Sequence, residues 1–397
     1  MGKIDHVLVV GAGVAGLTAA ICLDTAGIRA TVHEAQPEGS EAGASFVIRG
    51  SGWQVLAGMG LLEEVERRSL PMPHRFFSLG GPTGKDVIYD NEALGEGSVL
   101  DARAIDRSTF MAILLTEARR RGIEIHYGRR LHRLDQHPES VTATFTDGSR
   151  ADGDLLIGAD GRGSITRSCI FPHTRLRHAR GWNVYGRAHT GDLDPVLAAE
   201  LHTGATFMHF IGDMSFLAYR DDPQSAERFT WLLSGRTTRK IPAKSFELLD
   251  RGVLVKELDE GLRPHSWAAA DVVAASTRLA PTQVFHLPPL PAWSQGRVAL
   301  IGDAVHAADP MTGTGTSLAL EDGMYVAKML REHHYMDAFH YLHADRHEAA
   351  EKINASLDPD RVEFDAELEA VASYRFDVDW DQADERPVST LLSTHAP

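Results

Sequence analysis

Three stretches of the chain carry residues whose types and spacing could do chemistry. The first is Gly11-x-Gly13-x-x-Gly16, with Ala15 inside it. In such a turn the first glycine lets the chain reverse tightly. The second lets the backbone approach a pyrophosphate, and the third lets a helix pack closely on a strand. A helix starting there offers unsatisfied N–H groups and a partial positive charge, worth roughly 0.3–1 kcal/mol per anionic group. Glu34 follows at the end of the second strand, where a carboxylate can accept from ribose hydroxyls. The second stretch is Asp160-Gly161, with Ser164 and Arg167 after it. The third is Gly302-Asp303, followed by His306, Pro310, Gly313, Thr314 and Gly315. An Asp at a strand C-terminus faces the crevice where α/β sheets bind ligands. The glycines after Pro310 open a second helix N-terminus, suited to an anionic ring edge.

These stretches need elements to hold them. Residues 7–10 are wholly apolar and read as a strand buried on both faces. Residues 17–26 read as a helix closed by Gly27, and residues 29–34 as a second strand, which makes a βαβ unit. Residues 51–69 and 106–122 are helical by apolar spacing, and residues 123–127 form a strand. Asp147-Gly148 is a hairpin turn between residues 141–145 and 149–152. Residues 155–158 and 298–301 are again buried parallel strands ending at the second and third stretches. Between about 176 and 277 the pattern changes. The runs 182–188, 205–211, 215–219 and 228–233 alternate and are rich in aromatics, which predicts an antiparallel sheet. A helix is expected over 245–258 and one long helix over 321–353. The tail after Tyr374 is acidic, weakly patterned and expected to fray.

Composition bounds the function. The chain has 397 residues, 43% hydrophobic and 24% charged, enough to bury a large core without disulfides or metals. The net charge of −15 excludes a nucleic-acid partner, which needs a basic stripe, and disfavours anionic membranes. Cys22 and Cys169 are too few for a disulfide framework and are expected to be reduced and buried. No run is long enough to span a bilayer, and the N-terminus reads as a strand, not a signal peptide. The expected location is the cytoplasm. His343 and His347 stand at metal-ligand spacing, but their helix lacks the Glu of a zinc-protease motif, so no metal is expected. His306 is expected to be structural, with a proton relay as its sharper option.

Taken in order, the three stretches resemble the FAD-dependent monooxygenases of the aromatic hydroxylase type, the class A flavoproteins. The resemblance spans roughly residues 5 to 350. Gly50-Ser-Gly52, Gly60-Leu-Leu62, Ala104-Ile-Asp-Arg107 and Ala112-Ile-Leu114 make the layout most similar to the tetracycline-modifying monooxygenases. The implied fold is α/β. A discontinuous Rossmann-like FAD-binding domain with a parallel sheet would take residues 1–70, 98–176 and 278–335. It would be interleaved with a smaller substrate domain on an antiparallel sheet, residues 71–97 and 177–277. A C-terminal helix (336–375) and a flexible tail (376–397) would follow.

The resemblance implies roles residue by residue. Gly11, Gly13, Ala15, Gly16 and Glu34 would hold the ADP half of FAD, and Arg107 would stand beside the pyrophosphate and ribityl chain. Asp160 and Gly161 would form the family's Asp-Gly fingerprint, which also serves nicotinamide binding. Gly302 and Asp303 would meet the ribityl hydroxyls. Pro310 and the backbone at Gly313, Thr314 and Gly315 would sit against the isoalloxazine. In the family NADPH or NADH reduces the flavin, O2 adds at C4a, and the peroxyflavin oxidises the substrate. The implied activity is hydroxylation of an aromatic or polyketide-like natural product, with epoxidation or Baeyer–Villiger insertion as variants. The chain would act as a monomer or homodimer.

The tetracycline-modifying enzymes place Gln, Arg and His in the substrate site, where this chain has Tyr185, Thr206 and Trp231. That exchange implies a flatter, more apolar substrate held by stacking. Tyr185, His209 and Tyr219 are the candidates for a base acting on a phenol. Two other readings share the motifs: a flavin oxidase or dehydrogenase without oxygen insertion, and a non-catalytic flavin-fold protein that sequesters a reactive intermediate.

Overall fold

A computed structural model describes residues 4–40, 45–72, 75–79, 87–90, 102–236, 250–307, 313–355, 376 and 378–386. The chain opens with β1 (His6–Val10), α1 (Val14–Thr25) and β2 (Arg29–His33). β3 (Ser45–Ile48), α2 (Gly50–Gly58), α3 (Leu62–Arg68) and β4 (Leu70–Pro71) follow. Next come β5 (Arg75–Ser78), β6 (Val87–Asp90), β7 (Arg103–Asp106) and α4 (Arg107–Arg120). β8 (Glu124–His126), β9 (Leu131–Gln136), β10 (Val141–Phe145), β11 (Arg150–Gly153) and β12 (Leu155–Gly158) lead into α5 (Ile165–Ile170). The middle of the chain holds β13 (Arg177–His189), α6 (Pro195–His202), β14 (Thr206–Ile211), β15 (Met214–Tyr219) and β16 (Arg228–Arg236). α7 (Arg251–Leu262), α8 (Trp267–Ala274) and β17 (Ser276–His286) complete it. The last elements are β18 (Ser294–Gln295), β19 (Val298–Leu300), α9 (Asp303–His306), α10 (Gly315–Glu332) and α11 (Tyr335–Ala355).

The fold is α/β. A six-stranded sheet runs β18-β19-β12-β1-β2-β8, parallel except at β18. Parallel strands covered on both faces must be apolar throughout, and Val7 to Val9 and Leu155 to Ile157 are fully buried. α1 lies against α10. Gly323 permits the approach, since a Cβ there would sit 2.8 Å from the Ala19 backbone nitrogen. This sheet order brings the C-terminal ends of β1, β12 and β19 side by side, and with them the three chemical stretches.

A second sheet has seven strands, β17-β13-β16-β15-β14-β5-β6, antiparallel except where β14 meets β5. One face packs Phe207, Phe216, Phe229, Trp231 and Leu233 against α6, α7 and α8 through Leu201, Leu262 and Val272. Each such side chain contributes about 1.5–3 kcal/mol by leaving water. Two three-stranded sheets complete the fold, β3-β7-β4 and β11-β10-β9. Asp147-Gly148 makes the expected hairpin between β10 and β11, with Gly148 in the left-handed region (φ 83°).

The structure differs from the sequence expectations at five places. The helix over 51–69 is two helices, because Gly60 takes a left-handed φ of 74° and ends α2. The long helix over 321–353 starts earlier, at Gly315, and breaks at His333, whose backbone is extended. The helix expected over 245–258 is α7, begun by the Asp250 cap, and residues 241–249 lie outside the described residues. The tail packs on the rest of the chain over its described part. Phe376 is buried, the Arg331 guanidinium lies 4.4 Å from the Trp380 ring, and Arg386 donates to Tyr325 at 3.0 Å and Asp345 at 2.6 Å. Cys22 is buried as expected, but Cys169 is exposed, because it lies on the outer side of α5.

Candidate functional site

The glycine turn after β1 is built by steric necessity. A Cβ on Gly11 would overlap the Ala159 carbonyl of the neighbouring turn, and one on Gly16 would overlap the Gly11 carbonyl. Gly13 is different: a Cβ there would meet no protein atom within 4 Å. Its missing side chain therefore leaves open space directly before α1. No side chain caps α1, and its first turn carries no acidic residue. By contrast α4, α5, α6, α7 and α8 are capped by Asp106, Ser164, Asp194, Asp250 and Ser266. α2, α3, α9 and α10 also lack a side-chain cap, so it is the open space at Gly13 that makes the free N–H groups of α1 able to take an anion. Glu34 stands beside them, half-buried, accepting from Ala12 N–H at 2.8 Å and Gln36 N–H at 2.7 Å. A carboxylate has about four acceptor sites, so it retains capacity for sugar hydroxyls.

Asp160 lies at the end of β12 as expected, but its carboxylate is heavily engaged. It accepts from Ser164 Oγ at 2.5 Å, Ile165 N–H at 2.8 Å, and Thr166 N–H and Oγ1 at 2.9 and 3.0 Å. Its work is to hold the turn at Gly161 (φ 72°) and start α5. Arg167, buried, ties that turn to α9 through the Ala304 carbonyl at 2.8 Å.

Gly302 takes a left-handed φ of 60°, and its N–H donates to Asp322 on α10 at 2.9 Å. A Cβ there would stand 2.8 Å from the Ala15 Cβ, so the first and third stretches touch. Asp303 follows, exposed at the strand end. Gly313 (φ 60°) lies against β3 and Arg49, and Thr314 and Gly315 open α10, which no side chain caps. Pro310 lies outside the described residues. Arg107 opens α4 with its guanidinium 4.8 Å from the Phe46 ring of β3. Arg49, absent from the sequence candidates, is close by. Its N–H donates to Ser317 at 2.9 Å, and burial pushes its guanidinium pKa down. The only hint in the sequence was its place just before Gly50-Ser-Gly52.

The substrate candidates divide by sheet face. Cross-strand pairing aligns Met208, Leu217, Leu232, Tyr185 and Ala280 in one row. The next row outward is Phe210, Ser215, Ser234, Asn183 and Thr282. On the other side of the first row lie Tyr219, Thr230, Arg187 and Arg278, with Thr206 beside Tyr219. All these share the face away from α6, α7 and α8. That face meets the β3-β7-β4 sheet: Tyr219 Oη is 3.0 Å from Ser45 Oγ, and Arg187 binds the buried Asp106. Asp106 N–H donates to the Asp221 carbonyl at 3.0 Å, and Arg228 lies 3.8 Å from the Asp106 carboxylate.

Three expectations change here. Trp231 pairs with Gly186 and points to the opposite, helix-covered face. It is fully buried, stacked on Phe216, and donates to Ser276 at 2.8 Å. That is a core position in the helix-covered layer. His209 is on the same helix side, buried, with Nδ1 2.6 Å from Ser78 Oγ and its pKa lowered by burial. It faces the helix layer, away from the β3-β7-β4 sheet. Tyr219 faces the site, but burial pushes its phenol up to about 12 against the opposing Ser45 contact. It is neutral at physiological pH and hydrogen-bonds Ser45. Tyr185 is half-buried on the site face.

Among the described residues, no group of three or more His, Cys, Asp or Glu converges to hold a metal. His343 and His347 pack against each other and Trp293, with ring centroids 4.7 Å apart. No helix of the described residues is long and apolar enough to cross a membrane.

Comparison with known proteins places the chain in a family. A family model described as FAD binding domain matches residues 5–209 and 257–356. The chain is 28% identical over 341 residues to the FAD-dependent urate hydroxylase of Klebsiella pneumoniae, covering 82% of this chain and 81% of that protein. The structure of Klebsiella pneumoniae HpxO complexed with FAD and uric acid superposes with a TM-score of 0.77 at 22% identity, covering 93% and 89% of the two chains. The tetracycline destructase Tet(55) gives 0.70 at 20% identity, covering 99% and 94%. These structures share the fold.

Proposed function

The chain belongs to the FAD binding domain family, and from that premise we propose that it is a single-component FAD-dependent monooxygenase hydroxylating a small aromatic molecule with NAD(P)H and O2. The observation that carries the reading is the open space at Gly13 before the uncapped α1, with Glu34 beside it. The N-terminus of α1 holds the pyrophosphate, and Glu34 the adenosine ribose. Arg107 adds a cation beside the pyrophosphate. Asp303 accepts from ribityl hydroxyls, and the backbone of Gly313 to Gly315 with the N-terminus of α10 meets the flavin ring edge. Asp160 and Arg167 keep the two crevice turns in place. When bound, FAD supplies the redox chemistry, taking a hydride from NAD(P)H and passing electrons to O2 so that one oxygen atom enters the substrate.

The protein's remaining task is to hold the substrate and keep water away. Leu217, Leu232 and Met208 give an apolar ceiling, and Tyr185 adds a ring against which a flat substrate stacks. Tyr219 offers its neutral phenol at the junction with β3. Within this reading, residues 1–70, 98–176 and 278–335 form the cofactor part, and residues 71–97 and 177–277 the substrate part.

The test is direct. The purified protein is expected to carry FAD by its visible spectrum and to oxidise NADPH or NADH faster when a matching aromatic is added. Label from 18O2 is expected in the product. Bound FAD that neither nicotinamide reduces, or product without label, would sink the proposal.

A further inference from the structure

We propose that Arg346 is a positioning residue for the cofactor, and that the C-terminal segment covering it belongs to the cofactor machinery. Its side chain sets the spacing between the turns that carry Asp303 and Arg49. This rests on the monooxygenase reading and extends it to a part of the chain outside the three motifs. Arg346 lies on α11 and is 3% exposed. Its guanidinium binds two neighbouring carboxylates of α10. Nε donates to Asp322 Oδ1 at 2.9 Å and Nη2 to Glu321 Oε2 at 2.5 Å. Consecutive helix residues point about 100° apart, so the two carboxylates leave α10 toward different walls. Asp322 turns its other oxygen to the Gly302 N–H at 2.9 Å, one residue before Asp303. Glu321 turns its other oxygen to the Ser51 hydroxyl at the start of α2. Ser51 is two residues after Arg49, whose N–H is itself held by Ser317 of α10 at 2.9 Å.

Energetics separates this arrangement from a plain stabilising contact. Glu321 and Asp322 are fully buried. Taking such charges out of water is costly, and well-packed apolar side chains often stabilise a core as much. What the ion cluster adds is geometry. A guanidinium is a planar fork whose donors meet acceptors in fixed directions, whereas a Lys ammonium is a point charge. The fork holds Glu321 and Asp322, and through them both turns, at once. The C-terminal segment closes the same cluster. Phe376 is buried, with the Arg346 guanidinium 5.0 Å from its ring centre, a cation–π contact strengthened by the exclusion of water. Further on, the Asp384 N–H donates to Glu332 at 2.7 Å and Arg386 to Asp345 at 2.6 Å, which fastens this segment along α10 and α11.

The test uses the FAD-loaded full-length chain. FAD release on dilution is followed by the rise in flavin fluorescence, and folding by far-ultraviolet circular dichroism. Arg346→Lys keeps the charge but not the fork, and is expected to weaken FAD retention about tenfold or more while the chain stays folded. Phe376→Leu keeps the apolar volume but not the ring, and is expected to weaken it about threefold. Trp231→Ala, in the core of the second sheet, is the reference for lost stability alone and is expected to hold FAD as the native chain does. Native FAD affinity in Arg346→Lys overturns the inference, because charge without the fork then suffices. Should the Lys variant unfold, native affinity in Phe376→Leu overturns it. Equal loss of FAD in Trp231→Ala also overturns it, because release then follows stability and not position. Each of these outcomes leaves the monooxygenase reading standing, whereas a native chain that binds no FAD ends that reading and this inference together.

Discussion

His306 Nε2 stands 2.6 Å from Asp322 Oδ2, with both side chains buried. The same carboxylate accepts the Gly302 N–H at 2.9 Å and the Arg346 Nε–H at 2.9 Å, and Arg346 also reaches Glu321 at 2.5 Å. The turn bearing Asp303 is thereby locked to α10 and α11. Two carboxylates face Arg346 and His306, so the cluster is neutral only when His306 is protonated. Burial opposes charge on His306, but Asp322 outweighs it and raises the imidazole pKa. Burial also opposes charge on Asp322, yet His306 and Arg346 hold it down to about 2.

The first prediction concerns pH. With its folded pKa raised, His306 contributes stability that is complete below its ordinary value and lost as pH rises through the folded value. Asp322 contributes stability lost only as pH falls toward about 2. Thermal unfolding of the native chain is therefore expected to lose more as pH rises above the ordinary imidazole value of about 6.5 than that of His306→Gln. The variant is expected to be less stable by about 3 kcal/mol at pH 6, since it strips a partner from a buried charge. Parallel pH profiles for the two proteins would refute the ion pair.

Asp221 gives the opposite case. It is fully buried, with Oδ2 accepting from Thr230 at 2.8 Å and Oδ1 without a partner. Burial pushes its pKa up to about 6. The protonated form is favoured on folding, so this contribution is present below the ordinary carboxylate value and lost as pH rises through about 6. Asp221→Asn is expected to gain stability over the native chain at pH 8, by at most about 3 kcal/mol, and little at pH 4. Urea midpoints at the two values measure it, and an equal or larger gain at pH 4 would disprove it.

The two glycines of the first turn are expected to fail differently. Gly16→Ala drives a methyl into the Gly11 carbonyl and is expected to cost several kcal/mol of stability. Gly13→Val projects into open space and is expected to fold but to lose FAD. Circular dichroism melts and FAD stoichiometry separate them, and Gly13→Val purified with full FAD would contradict the assigned role.

Trp231 and Tyr185 form a last contrast. Trp231→Ala is expected to cost about 3–5 kcal/mol of stability while the folded protein keeps its substrate affinity. Tyr185→Ala is expected to weaken binding of an aromatic ligand several-fold with a small stability change. The reverse pattern, read by unfolding and by titration, would place the site on the other face of the sheet.

Much of the cofactor end was legible because its signals are local. Gly11 to Gly16 follow a buried strand directly, and Asp160, Gly302 and Asp303 each follow another. The Gly60 and His333 helix ends were missed because apolar spacing continues across both breaks. The exposure of Cys169 has no local signal, because the helical run that carries it has too few residues to reveal its outer face.

The three turns, the parallel strands feeding them and the alternating character of the second sheet can be read from residue order, since each depends only on neighbouring residues. Only the tertiary structure shows which face of that sheet packs on the helices and which meets the β3-β7-β4 sheet. Alternation shows that Tyr185 and Gly186 point to opposite sides, but only the pairing of Gly186 with Trp231 turns that tryptophan into the core. The same holds for Asp106 and Arg187, and for Asn183 and Ser234, which lie far apart along the chain. Register and layer contacts form between distant segments, so no local pattern carries them.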